Sequence, residues 1–346
     1  GIYPGVEGTN YIYPTAADVD YFMSKGMNTF RVPFAWERMQ PTLSGALDST
    51  QLGYMDTLVD YATSKGAYVI LDPHNFGAYY GSVIGDSQDT IAGFASLWSQ
   101  LATHYEGNSH VIFGLMNEPV GIDNGGGRPG GTTEAWLNSA NAAISAIRSA
   151  GASNLVLVPG NGYDGAWSWT PTDSSSNTNF YGTANSVVMT GIVDPGNNFA
   201  YEVHQYFDDN SSGSTSTITN NDPTIGVQRL TAFTNWLEAN HLRGFLGEFG
   251  AASDSVSLQT ITDTLNYLDA NSSAWMGWTY WDAPPTGWNT ADSFSVMPDA
   301  SGDKPQMAVL QSFAAVPEPG TVWLAAAGIS LFGAARRARQ LRKPKA

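Results

Sequence analysis

The chain has 346 residues, a net charge of −16 and no cysteine. The lack of cysteine excludes disulfides, thiol catalysis and Cys-zinc sites, and a composition 42% apolar and 12% aromatic excludes a disordered chain. Before Val316 there are 30 acidic residues against nine basic ones, so the surface repels phosphate backbones and nucleic acid is excluded as a partner. A neutral polymer such as a polysaccharide meets no such repulsion.

Seven short apolar runs read as buried strands: Thr29–Phe34, Ala67–Asp72, Val111–Asn117, Leu155–Pro159, Phe199–Gln205, Phe245–Phe249 and Trp275–Trp281. Helical periods lie between several of them. Leu52, Met55, Leu58, Val59 and Ala62 share one helix face. Ile91, Phe94, Leu97, Trp98 and Leu101 form a second stripe, Trp136, Ala140, Ala143, Ile144 and Ile147 a third, and Leu258, Ile261, Leu265 and Leu268 a fourth. Gly26, Gly66 and Gly151 follow helical stretches, where C-caps fall. Repeated βα units imply a parallel sheet covered by helices, and the expected architecture is a (β/α)8 TIM barrel. Seven strands are visible where eight are needed. The expectation is that the first strand and an export signal lie upstream of Gly1; an open or seven-stranded sheet is the alternative. The Ser-, Thr- and Asn-rich stretch Asp208–Asp222 reads as a long βα loop on the functional face.

Two segments are expected: a barrel over residues 1–315 and a tail over 316–346. Val316-Pro-Glu-Pro-Gly320 precedes an apolar stretch, Thr321–Ala335, and then six basic residues within the last 11. The apolar stretch is short for a span of roughly 20 residues, and the basic cluster would hold its end in the cytoplasm. A plain membrane anchor and an amphipathic helix are the alternatives.

In a parallel barrel the carboxyl ends of the strands share one face, where catalytic groups gather. Glu118 and Glu248 each fall where an apolar run stops, and a facing carboxylate pair is what glycoside hydrolysis needs. Arg31 lies inside an apolar strand and requires a carboxylate partner, Glu248 being the obvious one. His74 and Asn75, Asn117, His204 and Tyr206, and Trp281 end other strands. His74 and His204 have no third ligand at metal spacing, so neither a metal nor a cofactor is expected. Trp36, Trp167, Trp169 and Trp288 read equally as sugar platforms or as packing.

Several motifs carry a resemblance over roughly Gly5 to Phe313. They are Asn-Thr-Phe-Arg-Val-Pro-Phe (28–34), Asp-Pro-His-Asn (72–75), Ser-Leu-Trp-Ser-Gln-Leu-Ala (96–102), Phe-Gly-Leu-Met-Asn-Glu-Pro (113–119), Pro-Gly-Asn (159–161) and Gly-Glu-Phe-Gly (247–250). Together they resemble glycoside hydrolase family five, in particular its endoglucanase branch. The resemblance implies a retaining endo-β-1,4-glucanase acting on cellulose or related β-glucans, with Glu118 as proton donor and base and Glu248 as nucleophile. Arg31, His74, Asn117, His204, Tyr206 and Trp281 match its substrate-binding and supporting positions. Glu118 must start protonated to serve the leaving oxygen, and Glu248 must be ionised to attack. Another β-linked polymer (mannan or xyloglucan) and an inactive surface carbohydrate-binding protein are the alternatives. The tail resembles the PEP-CTERM sorting signal. That implies recognition by an exosortase, a transient membrane anchor through residues 321–335, and a secreted or cell-surface protein of a Gram-negative-type bacterium.

Overall fold

The structure is a computed structural model that describes residues 3–120, 131–172, 175–288 and 292–314. All seven expected strands form, as β1 (Thr29–Phe34), β2 (Tyr68–Pro73), β3 (Val111–Gly114), β4 (Val156–Pro159), β5 (Phe199–His204), β6 (Gly244–Glu248) and β7 (Trp275–Trp278). They pair in chain order as one curled, all-parallel sheet. This is barrel architecture open on one side: among the described residues no strand pairs with the outer edge of β1 or of β7.

The helices arise where the apolar stripes lie. Ser49–Ser64, Gln88–Tyr105, Thr133–Ser149 and Ser255–Ala270 bury most of their stripes against the sheet, with Leu52, Ile91 and Leu258 left half-buried at the first turns. Their first turns are closed by side chains that accept from orphan backbone donors: Asp48 from Thr50 and Gln51, Ser87 from Thr90, Thr132 from Ala135, Asp254 from Val256 and Ser257. Gly66 and Gly151 end two of them at φ +87° and +96°, where a side chain would be strained.

Alternation along each strand divides the core in two. Val69, Leu71, Val111, Phe113, Val156, Val158, Tyr201 and Val203 face the helices in the main apolar layer. Ile70, Ile112, Leu157, Ala200 and Phe245, one from each of β2 to β6, fill the inside of the curl as a separate cluster. That apolar plug closes one end. The next inward positions toward the carboxyl ends carry Asp72 on β2 and Glu202 on β5, level with Arg31 from β1. The interior thus changes from hydrocarbon to charge within one step of the pleat.

Four strands are shorter than expected, and the shortening matters at β3. It stops at Gly114, yet Leu115 N still donates to Leu157 O and Asn117 N to Pro73 O. The chain then turns through Glu118 at φ +40°, a left-handed conformation costly for a non-glycine residue. The turn lifts the Glu118 side chain onto the open face. At the other end of the sequence the helix Pro305–Phe313 buries Met307 and Leu310. The expected tail, 316–346, lies outside the described residues. No helix among the described residues is long and apolar enough to cross a membrane.

Candidate active site

The strand ends converge on Arg31. Its guanidinium meets three buried carboxylates: Nη1 lies 2.6 Å from Glu248 Oε1 and 3.2 Å from Asp72 Oδ2, and Nε lies 3.1 Å from Glu202 Oε1. Nη2 donates to Asn117 Oδ1 at 2.8 Å. The expected partner, Glu248, is therefore one of three. Asp72 and Glu202, the other two, are not among the expected site residues, although both sit in phase with inward-facing residues of their strands. That phase was the available signal.

Glu248 is held from both sides. Its Oε2 accepts the Tyr206 hydroxyl at 2.8 Å, while Oε1 takes Arg31. Burial opposes its ionisation, but the charges of His204, Arg31 and His74 and the Tyr206 hydroxyl outweigh that and hold its carboxyl below the ordinary range. The β5–β6 register shifts between Leu246 and Glu248, which sets Glu248 beside His204.

His204 bridges the two glutamates. Its Nδ1 lies 2.8 Å from Glu118 Oε1 and 3.4 Å from Glu248 Oε2. Burial disfavours the imidazolium, but Glu248, Glu118 and Glu202 together raise its pKa well above the ordinary value. One ligand-capable atom from each of Glu118, His204 and Glu248 fall within 4.8 Å of one another. Among the described residues this is the cluster with atoms placed for a metal, yet Arg31 and Tyr206 already engage both oxygens of Glu248.

His74 serves a different neighbour. Its Nδ1 lies 2.9 Å from Asp72 Oδ2, and its ring stacks on Trp281 at 5.4 Å and 15°. Burial opposes ionisation of Asp72, and Arg31 and His74 overcome it to hold its carboxyl low. Asn75 turns away: its Nδ2 donates to Glu37 Oε2 at 2.6 Å and its Oδ1 accepts from Trp36 N, so it braces the loop. The remaining tryptophans divide. Trp36 and Trp169 are fully buried and pack in the core, so a platform role is excluded for both. The cause is their place on short helical turns pressed against other aromatics, Trp36 on Tyr79 and Phe94, Trp169 on Phe233 and Trp236. Trp167 is half-buried and Trp288 exposed. Beside His74 a cleft of about 540 Å³ opens, walled by Tyr3, Phe76 and Tyr80, with Glu37 and Asn75 at its base.

A model of the Cellulase family, glycosyl hydrolase family 5, matches residues 3–284. The chain belongs to that family. A second model, the PEP-CTERM protein-sorting motif, matches residues 315–340. Endoglucanase gh5-1 of Neurospora crassa is 39% identical to this family 5 chain over 287 residues, 82% of the chain and 66% of that relative. The family 5 chain thus spans just under two thirds of that protein's length. Endo-beta-1,4-glucanase A of Emericella nidulans is 37% identical over 82% of the chain and 79% of its own length. Among solved structures, XacCel5A in complex with cellopentaose superposes with a TM-score of 0.82 at 42% identity, covering 90% of this chain and 94% of that one.

Proposed function

We propose that this family 5 chain is a retaining endo-β-1,4-glucanase that cleaves cellulose or related β-glucans through a covalent glycosyl-enzyme. The observation that carries the reading is the approach of Glu118 and Glu248, with an oxygen of each within 4.8 Å. Retaining hydrolases keep their carboxyls roughly 5–5.5 Å apart, whereas inverting ones need about 6.5–9.5 Å for a water.

The two glutamates have unequal surroundings, as the chemistry demands. Glu248, gripped by Arg31 and Tyr206 and held ionised, is the nucleophile. Its carboxylate attacks the anomeric carbon while Glu118 gives a proton to the departing glycosidic oxygen. Glu118 then takes a proton from water, and the water oxygen displaces Glu248 from the sugar. Asn117 Oδ1 is taken by Arg31, but its buried Nδ2 has no acceptor in the protein. A free buried donor is costly unless a ligand completes it, and the 2-hydroxyl of the sugar in the cleavage subsite fits that role. Trp281, stacked on His74, offers its face to the same sugar, and His74 keeps its second ring nitrogen for a sugar hydroxyl. No cofactor takes part in these steps.

The similarity to endo-β-1,4-glucanases in both sequence and structure supports a β-1,4-glucan as substrate. The tail motif supports export: an exosortase recognises residues 316–346, residues 321–335 anchor the chain in the membrane before processing, and the barrel of residues 1–315 is displayed at the bacterial surface.

The test is release of reducing sugar from carboxymethyl cellulose, mixed-linkage β-glucan and mannan, with Glu248→Gln alongside. Glucan hydrolysis that vanishes in the variant is expected. Activity on mannan alone would move the substrate, and a folded protein inert on all three would overturn the reading.

A further inference from the structure

Glu202 occupies a position for which the adjacent strand leaves room. It is 1% exposed, on the inner face of β5 two residues before His204, so both side chains point into the curl. Gly247 of β6 lies against it: a Cβ there would collide with the Glu202 carboxylate. The adjacent strand thus lacks a side chain where this carboxylate lies. A buried anion is expensive unless paired, and Glu202 has two cationic neighbours. Arg31 Nε is 3.1 Å from its Oε1, and His204 Nε2 is 3.7 Å from the same oxygen. The second distance is too long for a good hydrogen bond, so the attraction to the ring is electrostatic.

We propose that Glu202 is a positioning residue for hydrolysis: its carboxylate, seated against Gly247, fixes Arg31 on one side and the imidazole of His204 on the other, and so aligns the ring that links Glu118 to Glu248. It touches neither glutamate and acts through those two intermediaries. The inference rests on the catalytic reading above and deepens it. His204 meets Glu118 and Glu248 through Nδ1 alone, so any rotation of the ring misplaces the hydrogen bond to Glu118. Arg31 Nη2 also lies 3.5 Å from Nε2 and disfavours a proton on the ring, and the Glu202 anion offsets it while opposing that rotation. The 2.8 Å His204–Glu118 contact ties the orientation of the ring to the proton donor. The charged and titratable groups facing His204 are Glu118, Glu202, Glu248, Arg31, Asp72 and Asp164.

The experiment compares the full chain with Glu202→Gln and Glu202→Asp, measuring kcat, KM and their pH profiles on cellopentaose, with thermal melts to establish folding. Glu202→Gln keeps shape and an acceptor for Arg31 while removing the charge. Its kcat is expected to fall about 10- to 100-fold with KM unchanged, the cost of a small misplacement of reacting groups. Without the anion the His204 ring releases its proton at lower pH, so the alkaline limb should move down by about one pH unit. Should Glu202→Gln not fold, Glu202→Asp carries the test, with the same shift expected at smaller size. A folded variant with the parent's kcat and limbs, or one altered in KM alone, overturns the proposal. A parent that hydrolyses nothing would instead sink the glucanase reading, so the two failures are separable.

Discussion

Tyr206 reaches from the end of one strand to the nucleophile candidate of the next, donating its hydroxyl to Glu248 Oε2 at 2.8 Å. The contact is buried and leaves that oxygen with a fixed direction. It is also one of the forces that keep Glu248 ionised, after the charges of His204, Arg31 and His74.

Replacing Tyr206 by Phe removes the donor and preserves the ring, which stacks on Phe294 at 6.0 Å. Glu248 then loses part of what lowers its pKa, so its carboxyl protonates at a higher pH. The acid limb of kcat/KM should move upward, and kcat should fall about 10- to 100-fold through lost aim. A pH–rate profile on soluble β-glucan measures both. An unmoved acid limb would contradict this assignment of the hydroxyl.

Asp72 governs acid stability. Its folded pKa is depressed by Arg31 and His74, so its contribution is present above its unfolded value of about 3.9 and is lost as pH falls through the lower folded value. Asp72→Asn should therefore lower Tm at neutral pH. The gap between variant and parent should close as pH falls below about 4. Thermal melts between pH 2 and pH 7 would show it, and a gap that stays constant across that range would contradict it.

Arg148 and Asp194 supply the contrasting case of an ion pair far from the strand-end cluster. Nε and Nη2 of Arg148 clamp both oxygens of Asp194 at 2.7 and 2.9 Å, and the same guanidinium donates to the carbonyls of Ala152, Asn154 and Asn198. Arg148→Ala leaves the Asp194 carboxylate with only the Gly196 and Asn198 backbone donors and removes the donor to three carbonyls, and should cost about 3 kcal/mol. Denaturant titration reads that loss, while kcat at a permissive temperature should match the parent.

Trp169 and Trp167 are two residues apart and should behave oppositely. Trp169 lies at 0% exposure among Tyr201, Phe233 and Trp236, so Trp169→Ala should lose about 3–5 kcal/mol of stability. Trp167 is half-buried against Phe180, and Trp167→Ala should unfold near the parent's denaturant midpoint. Equal midpoints for the two variants would refute the division between a core and a half-buried tryptophan.

The barrel-type fold was legible because its signals are local. A strand buried on both faces must be an apolar run, a helix laid on the sheet must carry apolar residues at spacings of three and four, and each helix needs a capping side chain at its start. All seven strand runs and all four stripes satisfied those demands. The candidate site was legible for a related reason: polar groups at the ends of apolar runs have one exit, the open end of the curl. Glu118, Glu248, Arg31, Asn117, His204 and Tyr206 meet there, with His74 and Trp281 alongside.

Other features were set by contacts between strands, which no local pattern encodes. The sequence shows that Arg31 needs an anion, but the register places Asp72 and Glu202 beside it as well as Glu248. Gly247 reads in the chain as one more small residue; only the neighbouring strand reveals that it clears a place for Glu202. Tryptophan has a single composition signature whether it packs or binds, so Trp36 and Trp169 could be assigned to the core only once Tyr79, Phe94, Phe233 and Trp236 closed over them. The sequence by itself determined which residues face inward and which strand ends carry charge, because periodicity and solvation act along the chain. Tertiary structure alone decided which charges pair and which aromatics are buried, because those energies depend on distances across the sheet.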